Sequence, residues 1–101
     1  GSLGRYLRAL HINGESKFGC FVYIIGAGGK GGYRTYVGWT NDLKKRLAAH
    51  NGGTGARSTR GRTWRLLYAE RFEDRRAAMS REWHLKRDRN FRMRLFTGWD
   101  N

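Results

Sequence analysis

The chain has 101 residues, a formal net charge of +13 and 39% apolar residues, among them five Phe, four Trp and five Tyr. That content supports one modest core and excludes a disordered polyelectrolyte. Charge of this size repels itself in a compact chain, so a polyanionic partner is expected, nucleic acid ahead of an anionic membrane or a merely solubilising surface.

Residues 1–17 are polar and weakly periodic and are expected to form an N-terminal arm, with a short helix around Leu3–Leu10; Gly1-Ser2 reads as a vector-derived remnant. Residues 18–101 are expected to form one domain. Phe18 to Ile25 is short, apolar and rich in aromatic and β-branched residues, which predicts a buried strand. Gly26–Gly32 holds five glycines in seven residues and predicts a flexible turn. Tyr33–Trp39 then predicts a second strand and hence a hairpin. Thr40, Asn41 or Asp42 offers an N-cap for a helix from Leu43 to His50, which Asn51-Gly52-Gly53 ends. Thr54–Thr63 is a loop of Gly, Ser, Thr and Arg, and Trp64–Phe72 a third strand. Acidic Glu73 and Asp74 suit the start of a helix over roughly Asp74–Arg89, and a short helix is expected over Phe91–Phe96. The order β-β-α-β-α-α predicts an α+β fold, a small three-stranded antiparallel sheet flanked by helices. Cys20, the one cysteine, lies in an apolar run and is expected to be a buried thiol, which fits a reducing cytoplasm. No apolar run approaches the ~20 residues of a membrane span.

Chemistry is suggested first by the later helix. At about 100° per residue, Ala78, Met79, Trp83 and Leu85 form an apolar side, and Glu82 falls inside it. A carboxylate there needs a pairing cation or a metal. Lys86, four residues on, is the ordinary pairing partner, and a metal in a cleft is the alternative. On the first helix Arg46 and His50 share one face beside the Leu43–Leu47 seam, where a plain basic helix with a satisfied histidine is the simpler reading. Tyr23 and Tyr36 lie on the two hairpin strands, as site residues or as cross-strand aromatics.

Together these motifs resemble the GIY-YIG nuclease superfamily. Val22-Tyr23-Ile24 is followed, thirteen positions after Tyr23, by Tyr36-Val37-Gly38. Gly38-Trp39-Thr40-Asn41-Asp42-Leu43 leads to Arg46, and His50-Asn51-Gly52-Gly53, Gly55-Ala56 and Thr59–Trp64 are similar to the small stand-alone bacterial members. The nuclease domain of structure-selective endonucleases is similar too, although one cysteine cannot build the zinc-binding domain those proteins carry. Arg81-Glu82-Trp83 matches the position of the family's metal-binding glutamate. The resemblance runs from Phe18 to Phe96, departing where Phe21 and Val22 stand in place of the Gly and Ile of the name.

What the resemblance implies is a divalent-metal-dependent endonuclease acting on DNA, with RNA as the other nucleic acid, and without a membrane or small-molecule cofactor. Mg²⁺ or Mn²⁺ would be held by Glu82, with water and substrate oxygens filling the remaining positions. Tyr23 would be the base, Tyr36 would share or support that role, Arg46 would bind the scissile phosphate and His50 would hydrogen-bond within the site. Gly38 would permit close backbone approach. Arg57, Arg60, Arg62 and Lys86 are expected to contact the nucleic acid, the first three from a flexible loop, with Arg87, Arg89, Arg92 and Arg94 extending the charge. Trp39, Trp64 and Trp83 offer base stacking, with core packing expected for at least two. The competing readings are a non-catalytic nucleic-acid-binding module on the same fold and a basic structural or ribosome-associated protein. Substrate form, pathway and oligomeric state stay open.

Overall fold

The computed structural model describes residues 19–29 and 31–97. The arm, its expected helix near Leu3–Leu10 and Phe18 lie outside the described residues. Three strands, β1 (Cys20–Ala27), β2 (Arg34–Thr40) and β3 (Arg65–Phe72), form an antiparallel sheet in the order β2-β1-β3. The helices are α1 (Leu43–Asn51), α2 (Arg75–Arg87) and α3 (Arg89–Arg94), with a 3₁₀ turn over Arg57–Thr59. The expected α+β fold and its β-β-α-β-α-α order are therefore present.

Strand β1 is central and covered on both faces, so its sequence is a continuous apolar run. Phe21, Tyr23, Ile25 and Ala27 face one side and pack with Leu43 and Leu47 of α1, Trp64 and Ala69. Val22 and Ile24 face the other and pack with Val37, Tyr68 and, from α2, Ala78 and Leu85. Each fully buried side chain of this size contributes about 1.5–3 kcal/mol. Cys20, expected to be buried, is only half-buried because it opens the strand.

The first strand outlasts its expected end at Ile25, since Gly26 pairs with Thr35 and Ala27 with Arg34. Gly26 is required by packing: a Cβ there would lie 2.5 Å from Leu67 Cδ1 and 2.9 Å from the Phe96 ring. The turn proper uses Gly29, Gly31 and Gly32, all at positive φ. Asp42 caps α1 by accepting the Lys45 N–H at 3.0 Å, and Asp74 caps α2 by accepting the Arg76 N–H at 3.0 Å. The helix expected to reach Arg89 stops at Arg87, because Asp88 leaves helical geometry and accepts the Phe91 N–H at 3.1 Å, starting α3 two residues early.

The apolar side expected for α2 is narrower than the wheel suggests. Ala78 and Leu85 are buried, whereas Met79 and Trp83 are 47% and 52% exposed. The sheet contact is filled by the first two, and the Trp83 ring is covered instead by the Arg87 guanidinium at 3.6 Å.

Arg92 joins three elements. Its Nη1 donates to the carbonyls of Leu85 and Lys86 at the end of α2, each at 2.7 Å, and its Nε donates to Thr35 Oγ1 on β2 at 2.9 Å. Charge-assisted hydrogen bonds contribute about 1.5–3 kcal/mol each, but the carbonyls recover water once the arginine is gone. Arg92→Ala is therefore expected to destabilise the fold by about 2–3 kcal/mol, read as a lower urea midpoint at an unchanged slope.

Candidate active site

Tyr23 is the centre of the site. Its Cα pairs with Gly38 on the edge strand β2, and its ring lies across that glycine. A Cβ at position 38 would stand 2.6 Å from the Tyr23 hydroxyl, 2.9 Å from its Cζ and 3.1 Å from the Tyr36 ring. The missing side chain is what lets the phenol cross β2 and reach α1.

There the hydroxyl meets His50, whose Nε2 lies 2.7 Å away, and Arg46, whose Nε donates to it at 3.4 Å. The two α1 residues are one turn apart and share the face turned toward Tyr23. Tyr36 closes the group, its ring centroid 4.9 Å from that of His50 and 6.3 Å from that of Tyr23.

The other side of His50 fixes its tautomer. Its Nδ1 lies 2.9 Å from Thr59 Oγ1, and that hydroxyl donates its one proton to the Ala56 carbonyl at 2.8 Å. Thr59 must therefore accept, so Nδ1 carries hydrogen and Nε2 is bare. Tyr23 then donates its O–H to Nε2. The chain runs Tyr23 to His50 to Thr59 to the Ala56 carbonyl, and the three side chains are almost fully buried.

Burial lowers the His50 pKa, and the Arg46 charge lowers it further, so the ring is neutral at pH 7. Burial pushes the Tyr23 phenol up to about 12, against the hydrogen bond from Arg46; the charges of Tyr36 and Glu82 add to the rise. Arg46 is held above its ordinary value chiefly by its bond to Tyr23 and remains a cation.

Thr59 and Gly55 also shape the site, roles that their residue types alone do not suggest. A Cβ on Gly55 would lie 2.6 Å from His50 Nδ1 and 2.9 Å from its Cα, so this glycine makes room for the histidine. Thr59 is placed by a tertiary contact: the Trp64 indole donates to its carbonyl at 2.8 Å, and Asn51 holds the Trp64 backbone through bonds of 2.6 and 3.1 Å. The loop expected to be flexible is thus anchored at Thr59 by the side chains of the residues that flank it, His50 and Trp64. Trp64 belongs to the core on the α1 face, Trp39 is half-buried against the cluster on the α2 face, and Trp83 is the exposed one.

Glu82 enters from α2, close enough for its charge to be felt at Tyr23. Its carboxylate is largely covered, and Lys86 Nζ stands 3.7 Å away in the i, i+4 pair anticipated above. That distance is too long for a hydrogen bond, so the carboxylate keeps acceptor capacity. Lys86 is thus an ion-pair neighbour of Glu82 without a hydrogen bond to it. Arg57 and Arg60 are exposed and Arg62 half-buried on the loop; among the described residues no hydrogen bond or ion pair joins their side chains to Tyr23, Arg46 or His50. Among the described residues no three His, Cys, Asp or Glu side chains group as metal ligands.

Residues 19–95 match the family model described as the GIY-YIG catalytic domain, so the chain belongs to the GIY-YIG family, whose members are endonucleases. Similar proteins include a UPF0213 protein of Clostridium perfringens, 50% identical over 64 residues, which span 61% of this chain and 69% of that protein. A UPF0213 protein of Lacticaseibacillus paracasei is 45% identical over 62 residues (60% of this chain, 70% of the relative), and one of Natronomonas pharaonis 39% over 67 (65% and 75%). No solved structure matches the chain significantly. GIY-YIG nucleases are generally dependent on a divalent metal. The donor set fits such an ion: one largely covered carboxylate suits a hard cation that keeps water and substrate oxygens as its other ligands. Among the described residues no helix is long and apolar enough to cross a membrane.

Gly38→Ala is expected to push the Tyr23 hydroxyl off His50 with little change in the fold. The cross-peak linking the hydroxyl to the His50 ring in NMR spectra should disappear; its persistence would show that the site tolerates a Cβ.

Proposed function

We propose that this protein is a metal-dependent endonuclease that hydrolyses DNA phosphodiesters, with Tyr23, Tyr36, Arg46, His50 and Glu82 as its working residues. The observation that carries this reading is the buried hydrogen bond from Tyr23 to the bare Nε2 of His50.

A phenol with a pKa near 12 is ionised at pH 7 in only about one molecule in 10⁵, so a standing phenolate is a poor base. The hydrogen-bond chain removes this difficulty. The Tyr23 oxygen donates one hydrogen to His50 and accepts one from Arg46, which leaves one lone pair for the attacking water. As the water oxygen bonds to phosphorus, its proton passes to Tyr23 Oη and the Tyr23 proton passes to His50 Nε2. Tyr23 ends neutral and His50 ends as an imidazolium whose Nδ1–H rests on Thr59. Positioned transfer of this kind contributes about 10²–10⁴-fold.

Arg46 is a permanent cation beside that water, suited to the phosphate oxygens that gain charge as the water adds. Tyr36 packs on His50 and keeps the ring in line. Glu82 would hold the metal, Mg²⁺ or Mn²⁺, which when bound supplies Lewis-acid relief of charge on the phosphate and leaving oxygen. Arg57, Arg60 and Arg62 would position the strand through its phosphates.

Labelled single-stranded, duplex and branched DNA should be cut in Mg²⁺ or Mn²⁺ and spared in EDTA. Glu82→Gln should lose about 10³-fold in cleavage while DNA binding persists. Because neutral His50 is the acceptor and its pKa is lowered, kcat/KM should hold down to pH ~6.5 and fall only below it. Equal cleavage by Glu82→Gln and the parent would remove the metal assignment. Salt-sensitive binding with no cleavage in any metal would leave a nucleic-acid-binding module on the same fold.

A further inference from the structure

A groove of about 230 Å³ runs along the open edge of β2, directly beside Tyr36. It is lined by Tyr33 to Tyr36, by Ser58 of the 3₁₀ turn with Trp64, and by Arg89, Arg92 and Met93 of α3. The lining carries three guanidinium groups and no carboxylate. Arg92 is tied to Thr35 and to two carbonyls of α2, so it contributes fixed charge. Arg34 and Arg89 are exposed, and among the described residues their side chains form no hydrogen bond or ion pair.

Three unneutralised cations converging on one groove repel each other, a cost an anionic ligand reverses. The groove is also smaller than the ~300 Å³ at which pockets for small organic ligands begin, so it suits a phosphate and its sugar and offers no room for reading a base. Its position beside Tyr36 places it one step along a strand from the Tyr23 cluster.

We infer that the β2-edge groove is a backbone-binding subsite, in which Arg34 and Arg89 hold the phosphodiester that neighbours the one reaching Tyr23. The inference rests on the nucleic-acid reading above and adds a track for the strand along the β2 edge. Contacts of this kind fix register and orientation without sequence preference.

The test is equilibrium binding of fluorescein-labelled oligothymidylate by the full chain in EDTA, at several salt concentrations, for the parent, Arg34→Ala, Arg89→Ala, the double variant and Arg76→Ala. Arg76 is exposed on α2 and outside the groove, so it controls for the loss of one charge. Each phosphate contact contributes roughly 0.7 to the single-strand salt slope, or about fivefold in affinity near 0.1 M salt. Each groove variant should therefore weaken binding about fivefold, and the double variant should flatten the slope by roughly 1.4, at unchanged thermal midpoints. Arg76→Ala should move neither by more than a small fraction of this. Groove variants that behave like Arg76→Ala, or a parent that binds no oligothymidylate, would overturn the subsite. The assay reads binding alone, so a chain that binds through the groove yet cuts nothing would keep the subsite and refute only the nuclease reading.

Discussion

The site depends on one buried hydrogen bond, from the Tyr23 hydroxyl to His50 Nε2. A phenol and an imidazole removed from water must satisfy each other or lose about 1–3 kcal/mol apiece. That requirement fixes much else. The phenol has to cross β2, so position 38 carries no side chain; the imidazole has to sit against the 56–59 segment, so position 55 carries none either. Its second nitrogen needs an acceptor, which Thr59 supplies only because its own proton is committed to Ala56. Among the described residues no buried side-chain nitrogen or oxygen is left without a partner, so this polar chain is embedded in the core without an orphaned group.

The same arrangement divides the labour of the proposed reaction. The α1 face of the sheet supplies proton transfer and a fixed cation, and α2 supplies the one carboxylate. The sheet lies between them with Tyr23 projecting over its edge strand. A proton handed from water to tyrosine to histidine never requires a free phenolate, which burial makes costly. The neutrality of His50, which burial and the Arg46 charge enforce together, is what makes it a resting acceptor. Arg46 thus acts on both members of the pair, because it touches the phenol and its charge keeps His50 unprotonated.

Much of this was legible in the sequence. Strand β1 is buried on both faces and therefore reads as an apolar run, while Asp42 and Asp74 stand where helix caps are needed, so element order could be read locally. Tyr23, Tyr36, Arg46 and His50 were found through their place in the family's motifs, and Glu82 also as a carboxylate inside an apolar stripe. What escaped were properties set at long range. Thr59 sits in a Gly, Ser and Arg segment whose composition suggests a solvated loop, yet the Trp64 indole, itself tied to Asn51, holds it in place. The exposure of Trp83 depends on how much of α2 the sheet can cover, which a helical wheel does not contain. The need for glycine at position 38 comes from a ring on the neighbouring strand, and the groove at the β2 edge joins segments far apart in the chain.

The most direct measurement is the tautomer of His50, read from the two imidazole ¹⁵N shifts and their long-range proton couplings at neutral pH. The account requires a neutral ring with hydrogen on Nδ1 and a bare Nε2 facing Tyr23. A ring protonated on Nε2, or an imidazolium at neutral pH, would contradict it, because Tyr23 would then have no acceptor for its proton.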